Sequence, residues 1–226
     1  MGALIEATVS AECSTAPASP LDERTLQIID AGYALLGQSG LEGLTIRAVL
    51  MRTGLARRAF YERFTGKDDL LLAVFEHTIR AAADHYDRAV QQIDSPLERL
   101  KLVVESIALG NGGQADGPSN LPIRRGAALS REHLRLADTR PDALQAALAP
   151  LLAVIARLLA EGMAAGMIRP CVPQRLAPLI YNLVATTMHT DFLSHSAERA
   201  DRGHRERLAT DIWDFCLSGV LAHGAR

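Results

Sequence analysis

The chain is predicted to be all-α, with about nine helices forming an N-terminal three-helix unit that contains a helix-turn-helix, and a larger helical body. Three observations predict it. Apolar residues recur three and four apart in successive segments, as one buried helix face requires. No segment alternates apolar and polar residues between turn signals, as a half-buried strand would. Aromatic residues are only 4% of a chain that is 48% hydrophobic, so its core rests on Leu, Ala, Val and Ile, a composition suited to helices.

Residues 1–20 are rich in Ala, Ser and Thr, include Pro17 and Pro20, and read as a flexible arm. From Asp22 the spacing of Leu26, Ile29, Tyr33 and Leu36 predicts a first helix, which Gly40 closes. Thr45 is the expected N-cap of a second, with Ile46, Val49 and Leu50 on one face and Gly54 at its end. A third short helix is expected over 56–64, with Phe60 and Phe64 four apart. Lys67-Asp68-Asp69 starts the fourth, two carboxylates lying at the positive end of its dipole. Its inward stripe is expected to run through Leu70, Val74, His77, Ala81 and Tyr86 towards Ile93.

Ser95-Pro96 is a cap and first-turn pair for a fifth helix, whose stripe is Leu97, Leu100, Val103, Val104 and Ile107. The glycines and Pro118 of 111–120 predict a loop. Helices are then expected over 121–137 and 141–165, the second capped by Gly166 and kinked or broken at Pro150. Pro173 and Pro178 frame the start of another that runs to about residue 196, and 205–222 form the last. The expected division is an arm at 1–20, a helix-turn-helix domain at 21–67, and a ligand-binding and dimerisation domain at 68–226.

Several classes are excluded on residue grounds. No run of about 18 uninterrupted apolar residues exists, since Arg157 and Glu161 interrupt the most apolar segment, so a membrane span is not expected. The start has no basic and apolar leader, and Glu6 stands where a myristoylation signal needs Ser or Thr. Cys13, Cys171 and Cys216 are odd in number and widely spaced, which fits a reducing cytoplasm and no metal or cofactor. No serine elbow, phosphate loop or zinc pair occurs, so an enzyme is not expected. Asp191 and His195 share a helix face while His189 points away, and Glu132-His133 and Asp84-His85 diverge by roughly 100°.

Charge is distributed unevenly. The net charge is −2, yet 41–67 carries six cations against two carboxylates, a local +4 that leaves −6 for the remainder. A basic module on an acidic body is expected where one part meets phosphate and the other does not. Thr53-Gly54-Leu55 supplies the turn that lets the third helix enter a major groove while the second supports it. Arg57 and Arg58 lie at the N-terminal end of that helix, where side chains reach base edges. Thr45, Arg47 and Lys67, near helix starts, and Tyr61 and Arg63 are candidates for phosphate.

The segment G-L-E-G-L-T-I-R-A-V-L-M-R-T-G-L-A-R-R-A-F-Y-E-R-F-T-G-K, residues 40–67, resembles the DNA-binding signature of the tetracycline-repressor (TetR) family. The resemblance is carried by the Thr-Gly-Leu turn, the F-Y-x-x-F cluster and the lysine beyond it, and covers about residues 25–75. It implies that Thr45, Arg47, Tyr61 and Lys67 hold phosphates and that Arg57, Arg58 and Ala59 face bases. Departures are Leu50, Ala56, Arg58, Ala59 and Arg63, where the family often has Ala, Ser, Gly or Pro, Thr or Ser, and His. Ala56 forgoes an N-cap worth about 1 kcal/mol, and Ala59 offers a base only a methyl group.

The last two helices carry apolar residues on more than one face, which calls for two partners: their own core and a second copy. Val184, Met188, Trp213, Cys216 and Val220 are the expected dimer contacts, with Ala185, Ser218 and Gly219 permitting close approach. Tyr86, Ile107, Leu129, His133, Met163, Met188 and Phe192 mix apolar surface with a few polar groups and are the candidates for a small, largely apolar ligand. The expected function is a homodimeric repressor that binds a palindromic operator in double-stranded DNA and is released by such an effector. The alternative is a helical small-molecule or protein-binding module that no longer reads DNA.

Overall fold

A computed structural model describes residues 22–110, 121–194 and 202–222. Among these there are nine α-helices and one 3-10 turn, with no strand beyond a single bridge between Ile168 and Leu221. The expected arm at 1–20 and the expected loop at 111–120 lie outside the described residues.

The first helix, α1, is Glu23–Gly43, N-capped by Asp22, whose carboxylate accepts from the Thr25 amide at 2.8 Å. It is interrupted at Gly40, where φ is 64°. Helix α2, Ile46–Thr53, is capped by Thr45 Oγ1, which accepts from the Ala48 amide at 3.1 Å, and stops at Gly54 with φ 69°. Gly54, with ψ 8°, stands in the left-handed helical region that other residues enter at a cost of about 1–2 kcal/mol, and Gly40, with ψ −163°, in a positive-φ extended region that is essentially glycine's own. Helix α3, Arg57–Tyr61, is shorter than expected. Its cap position, Ala56, makes no side-chain bond; after Tyr61 the chain tightens into a turn, where the amides of Arg63 and Phe64 both donate to the Phe60 carbonyl. Phe60 and Phe64 still anchor it, both buried with rings 5.5 Å apart.

Helix α4 is Lys67–Ala89, followed by the 3-10 turn Val90–Gln92. Its buried stripe is Leu70, Leu71, Leu72, Val74, Phe75, Ala82, Ala83 and Tyr86. Ala81, expected inside, is exposed, and His77 is half-buried: the buried side at this level passes to Ala82 and Ala83, the small residues that let neighbouring helices approach. Helix α5 is Pro96–Leu109, with Ser95 as its cap.

The body continues with α6 (Leu121–Thr139), α7 (Pro141–Ala164), α8 (Pro173–Ser194) and α9 (Arg202–Val220). Helix α7 runs through Pro150 without a break, one of the two outcomes expected there. The carbonyl deprived of a donor by Pro150 is that of Ala146, an exposed residue, so water can satisfy it and the helix survives the missing bond. At its other end the amides of Gly166 and Met167 donate to the carbonyls of Met163 and Gly162, the paired bonds of a Schellman cap. By length and hydropathy α7 resembles a membrane-crossing helix, but its leucine face packs against α4, α5 and α8.

Two buried clusters result. One gathers Ile28, Ile29, Leu36, Leu44, Val49, Phe60 and Phe64 with Leu70, Leu71 and Val74 of α4 and Ala128 of α6. The other, larger, joins α4 from Leu72 onward to α5, α7, α8 and α9. Helix α6 lies along α1 and reaches α7 and α8.

If solvent already satisfies the Ala146 carbonyl, Pro150→Ala restores an intrahelical bond without disturbing the core. It is expected to raise stability by about 1–3 kcal/mol in urea denaturation; a lower midpoint would mean that the pyrrolidine ring itself is needed at that position.

Candidate nucleic-acid interface and ligand cavity

The outer side of α2 and α3 is where the sequence concentrates cations, and the structure leaves most of them reachable. Thr45, Arg47, Arg57, Arg58 and Tyr61 are exposed, and Ala59 is half-buried beside them. The Arg58 side chain is 90% accessible, with Nε donating to Glu62 Oε1 at 2.9 Å. Arg57 lies 5.4 Å from the centre of the Tyr61 ring and donates to its hydroxyl at 3.3 Å. These exposed pairs are worth at most about 1 kcal/mol each and do not remove either guanidinium from reach.

Two of the expected phosphate candidates are engaged within the chain. Arg63 is largely covered: Nε donates to the Asp22 carboxylate at 3.2 Å and Nη1 to the Ala59 carbonyl at 2.9 Å. It therefore ties the start of α1 to the end of α3, and a phosphate would have to displace both acceptors. The Asp22 carboxyl is held below its ordinary value first by the Thr25 amide and then by Arg63. Lys67 Nζ donates to the Leu41 carbonyl at 2.8 Å, securing the end of α1 to the start of α4. Beside it, Asp69 accepts from the amide of Thr65 at 3.0 Å, which fixes the chain's entry into α4.

A cavity of about 170 Å³ lies between α1, α4, α5, α6, α7 and α8. Of the expected ligand contacts, Tyr86, Ile107, Leu129, His133 and Met188 line it. Met163 does not: it sits at the end of α7 with its sulfur 3.5 Å from Cys171 Sγ. The Phe192 side chain lies outside the described residues. The walls also include Tyr33, Phe75, Ile79, Arg125, Ser130 and Tyr181, which the sequence reading missed. A signal for Arg125 was present, because Arg125, Leu129 and His133 succeed one another at four-residue spacing on one face of α6.

His133 stands between this cavity and a wider space of about 700 Å³ along α7 and α8, and Tyr181 borders both. Its Nδ1 lies 3.4 Å from the Tyr181 hydroxyl. Burial, with a smaller contribution from His189, holds the His133 pKa below its ordinary 6.5. His189 itself meets Ser130 Oγ at 3.0 Å. Asp191 pairs with His204 at 2.8 Å, while His195 lies outside the described residues. Among the described residues no group of three or more His, Cys, Asp or Glu gathers as metal ligands would.

The residues expected at a dimer face need correction. Val184, Met188, Trp213, Cys216 and Val220 are all buried within the single chain, so they have no surface left for a partner, and Val184 and Met188 face the cavity. Apolar periodicity marked the inward side of α8 and α9, because that side holds the longer stripe. Outside it, Leu179 on α8 is 64% exposed and Phe215 on α9 is 70% exposed, and a methyl group added at Gly219 would meet open space.

Residues 28–74 match the profile of bacterial regulatory proteins of the tetR family. The HTH-type transcriptional regulator BetI of Brucella canis is 28% identical over 81 residues, 36% of this chain and 41% of that protein. The chain thus matches about two fifths of the length of such curated relatives. The fatty acid metabolism regulator protein of Bacillus subtilis is 23% identical over 166 residues, 73% of this chain and 81% of its own. Among solved structures, the transcriptional regulator FadR of Bacillus subtilis in complex with stearoyl-CoA superposes with a TM-score of 0.66 at 20% identity, covering 86% of this chain and 98% of that one. A regulator from Saccharomonospora viridis in complex with choline gives 0.65 at 18% identity, covering 88% and 98%. At such identities the structural likeness speaks for the fold.

The depressed pKa of His133 has a consequence for stability. An unfolded chain takes up its proton near 6.5 while the folded chain resists it, so the contribution is complete above 6.5 and is lost as pH falls from there towards the folded value. His133→Gln is expected to flatten the decline of melting temperature between neutral and mildly acidic pH; parallel curves for the two proteins would contradict this.

Proposed function

We propose that this chain, whose residues 28–74 match the profile of bacterial regulatory proteins of the tetR family, is a homodimeric transcriptional repressor that binds double-stranded DNA and releases it on binding a small, largely apolar effector. The observation that carries the reading is the outer face of α2 and α3. It presents Thr45, Arg47, Arg57, Arg58 and Tyr61 together on a support fixed by Val49, Phe60 and Phe64.

The division of labour follows from position. Arg57 and Arg58 begin α3 and can each present a bidentate donor pair to guanine O6 and N7. Thr45 and Arg47, at the start of α2, and Tyr61, at the end of α3, flank the groove and meet phosphate. A five-residue reading helix touches few bases, so useful specificity calls for a second copy on a twofold and a palindromic operator with half-sites in phase with the helix repeat. The outer surfaces of α8 and α9, with Leu179, Phe215 and Gly219, suit that pairing. An effector in the cavity weakens DNA binding by as much as it prefers the state in which the two readers no longer match the groove. The place of action is the cytoplasm, where a bacterial chromosome lies.

Fluorescence anisotropy with labelled duplexes tests the reader. Affinity is expected to fall steeply with salt, and Arg47→Ala to reduce the logarithmic salt slope by about 1 while weakening all sequences alike. Arg57→Ala and Arg58→Ala are expected to cost about 1–3 kcal/mol on the selected operator and to relax base preference. Absence of duplex binding at low salt would sink the reading in favour of a module that does not read DNA.

Phe215→Asp tests the assembly. It places a charge at the centre of the proposed twofold without touching the core. Sedimentation velocity is expected to show folded monomer where the parent chain is dimer, with DNA affinity reduced; a variant that stays dimeric would move the interface elsewhere.

A further inference from the structure

The cavity has walls of Phe75, Ile79, Leu129 and Leu151, and among its described lining residues Arg125 is the one permanently charged side chain, with no carboxylate beside it. The guanidinium of Arg125 lies over the ring of Tyr33, its Cζ 3.8 Å from the centroid, and Nη1 donates to the Tyr33 hydroxyl at 2.8 Å. Its Nε is buried and has no acceptor. A neutral phenol oxygen and an aromatic face leave the buried Nε–H of this half-buried guanidinium uncompensated. The remaining polar side chains of the described lining are Thr78, Tyr86, Ser130, His133 and Tyr181, none of them a carboxylate, and burial lowers the His133 pKa.

We propose that this cavity takes an amphipathic monocarboxylate, its head group on Arg125 and its apolar tail between α4, α6 and α8. The inference rests on the ligand-gated reading above and names the chemistry of its effector. A carboxylate accepts the orphaned Nε–H together with one terminal N–H, the paired geometry that guanidinium and carboxylate share. A quaternary ammonium finds aromatic rings here, but Arg125 repels it and no acid among the described lining residues neutralises it.

The same residue connects the cavity to the reader. Tyr33 belongs to α1, whose Ile28, Ile29 and Leu36 are part of the core beneath α2 and α3, while Arg125 belongs to α6 of the body. A carboxylate competes with the Tyr33 hydroxyl and ring for the guanidinium. The ligand thus has a different interaction energy in the state where Arg125 holds α1 and the state where it has let go, which is what coupling requires.

The test uses the full chain and three probes with one tail: octanoate, octanol and octyltrimethylammonium, titrated calorimetrically near neutral pH. Octanoate is expected to bind at least about tenfold tighter than octanol, with the ammonium weakest, as a charge-assisted bond of about 1.5–3 kcal/mol implies. Arg125→Met is expected to bring octanoate down to the level of octanol while leaving octanol unchanged, and Arg125→Lys to keep part of the preference. Equal binding of octanoate and octanol, preference for the ammonium, no binding of any probe, or a preference that survives Arg125→Met overturns the assignment. For the coupling, Tyr33→Phe, which removes the competing hydroxyl, is expected to raise octanoate affinity and to diminish the effect of octanoate on duplex affinity; an unchanged effect overturns that part. If the parent chain selects octanoate but binds no duplex at low salt, the regulator reading falls and the carboxylate site stands.

Discussion

Everything else in the molecule depends on α4 belonging to two cores at once. It is one uninterrupted helix of 23 residues, about 34 Å long at about 1.5 Å per residue. Leu70, Leu71 and Val74 complete the N-terminal cluster beneath the reader, while Leu72, Phe75, Ala82, Ala83 and Tyr86 are part of the body. Leu71 and Leu72 are neighbours in sequence and lie in different cores. A helix cannot change its tilt at one end while keeping the other fixed, so the orientation of α2 and α3 is set by how α4 sits in the body. Phe75, Thr78, Ile79, Ala82 and Tyr86, which face the cavity, are on that same rod.

Helix α6 supplies the second tie, and it is polar where α4 is apolar. Ala128 enters the N-terminal cluster and Leu136 the body cluster. Glu132 is 1% exposed and is held by Arg135 through two bonds of 2.8 and 2.6 Å, with Asp68 at the start of α4 another 3.9 Å from the same guanidinium. An ion so deeply placed contributes little net stability while paired, but losing its partner costs about 3–5 kcal/mol. The pair lies within α6 itself, and its link to α4 is the exposed contact of Arg135 with Asp68, worth about 1 kcal/mol or less. Elsewhere Arg99, Glu161, Arg157 and Asp87 link α5, α7 and α4 through half-buried and exposed bridges, the exposed ones contributing about 1 kcal/mol or less each.

The reader was legible because its signals are local. Thr45 caps α2, Gly54 turns the chain, and Phe60 and Phe64 sit a helical turn apart, each a matter of neighbours within four residues. What escaped depends on distant partners. That Arg63 faces Asp22, 41 positions away, and Lys67 the carbonyl of Leu41, follows only from how α1 lies on α3 and α4. The same holds for Tyr33 and Arg125, 92 positions apart. On α8 and α9, periodicity identified buried stripes correctly but cannot say whether burial is within one chain or between two. Trp213 and Cys216 belong to the first kind, and Phe215, between them, faces outward.

On the proposed function, the internal partners of Arg57 and Arg58 bear on how α3 would meet a base. Its helix is five residues long and lacks a side-chain cap, so Phe60 and Phe64 rather than local hydrogen bonding hold it in place. Arg57 rests on Tyr61 and Arg58 on Glu62, both one turn on, which keeps two like charges at adjacent positions extended along the helix rather than apart in solvent. Giving up an exposed pair costs about 0–1 kcal/mol, whereas a correct bidentate contact to guanine gains about 1–3. Against a wrong base nothing repays that exchange, and the arginines stay with their own helix. On that proposal the intramolecular pairs would hardly weaken correct binding and would sharpen the penalty for incorrect binding. Glu62 has a part in this although it approaches no guanine itself, since removing it would leave Arg58 free to take any phosphate within reach.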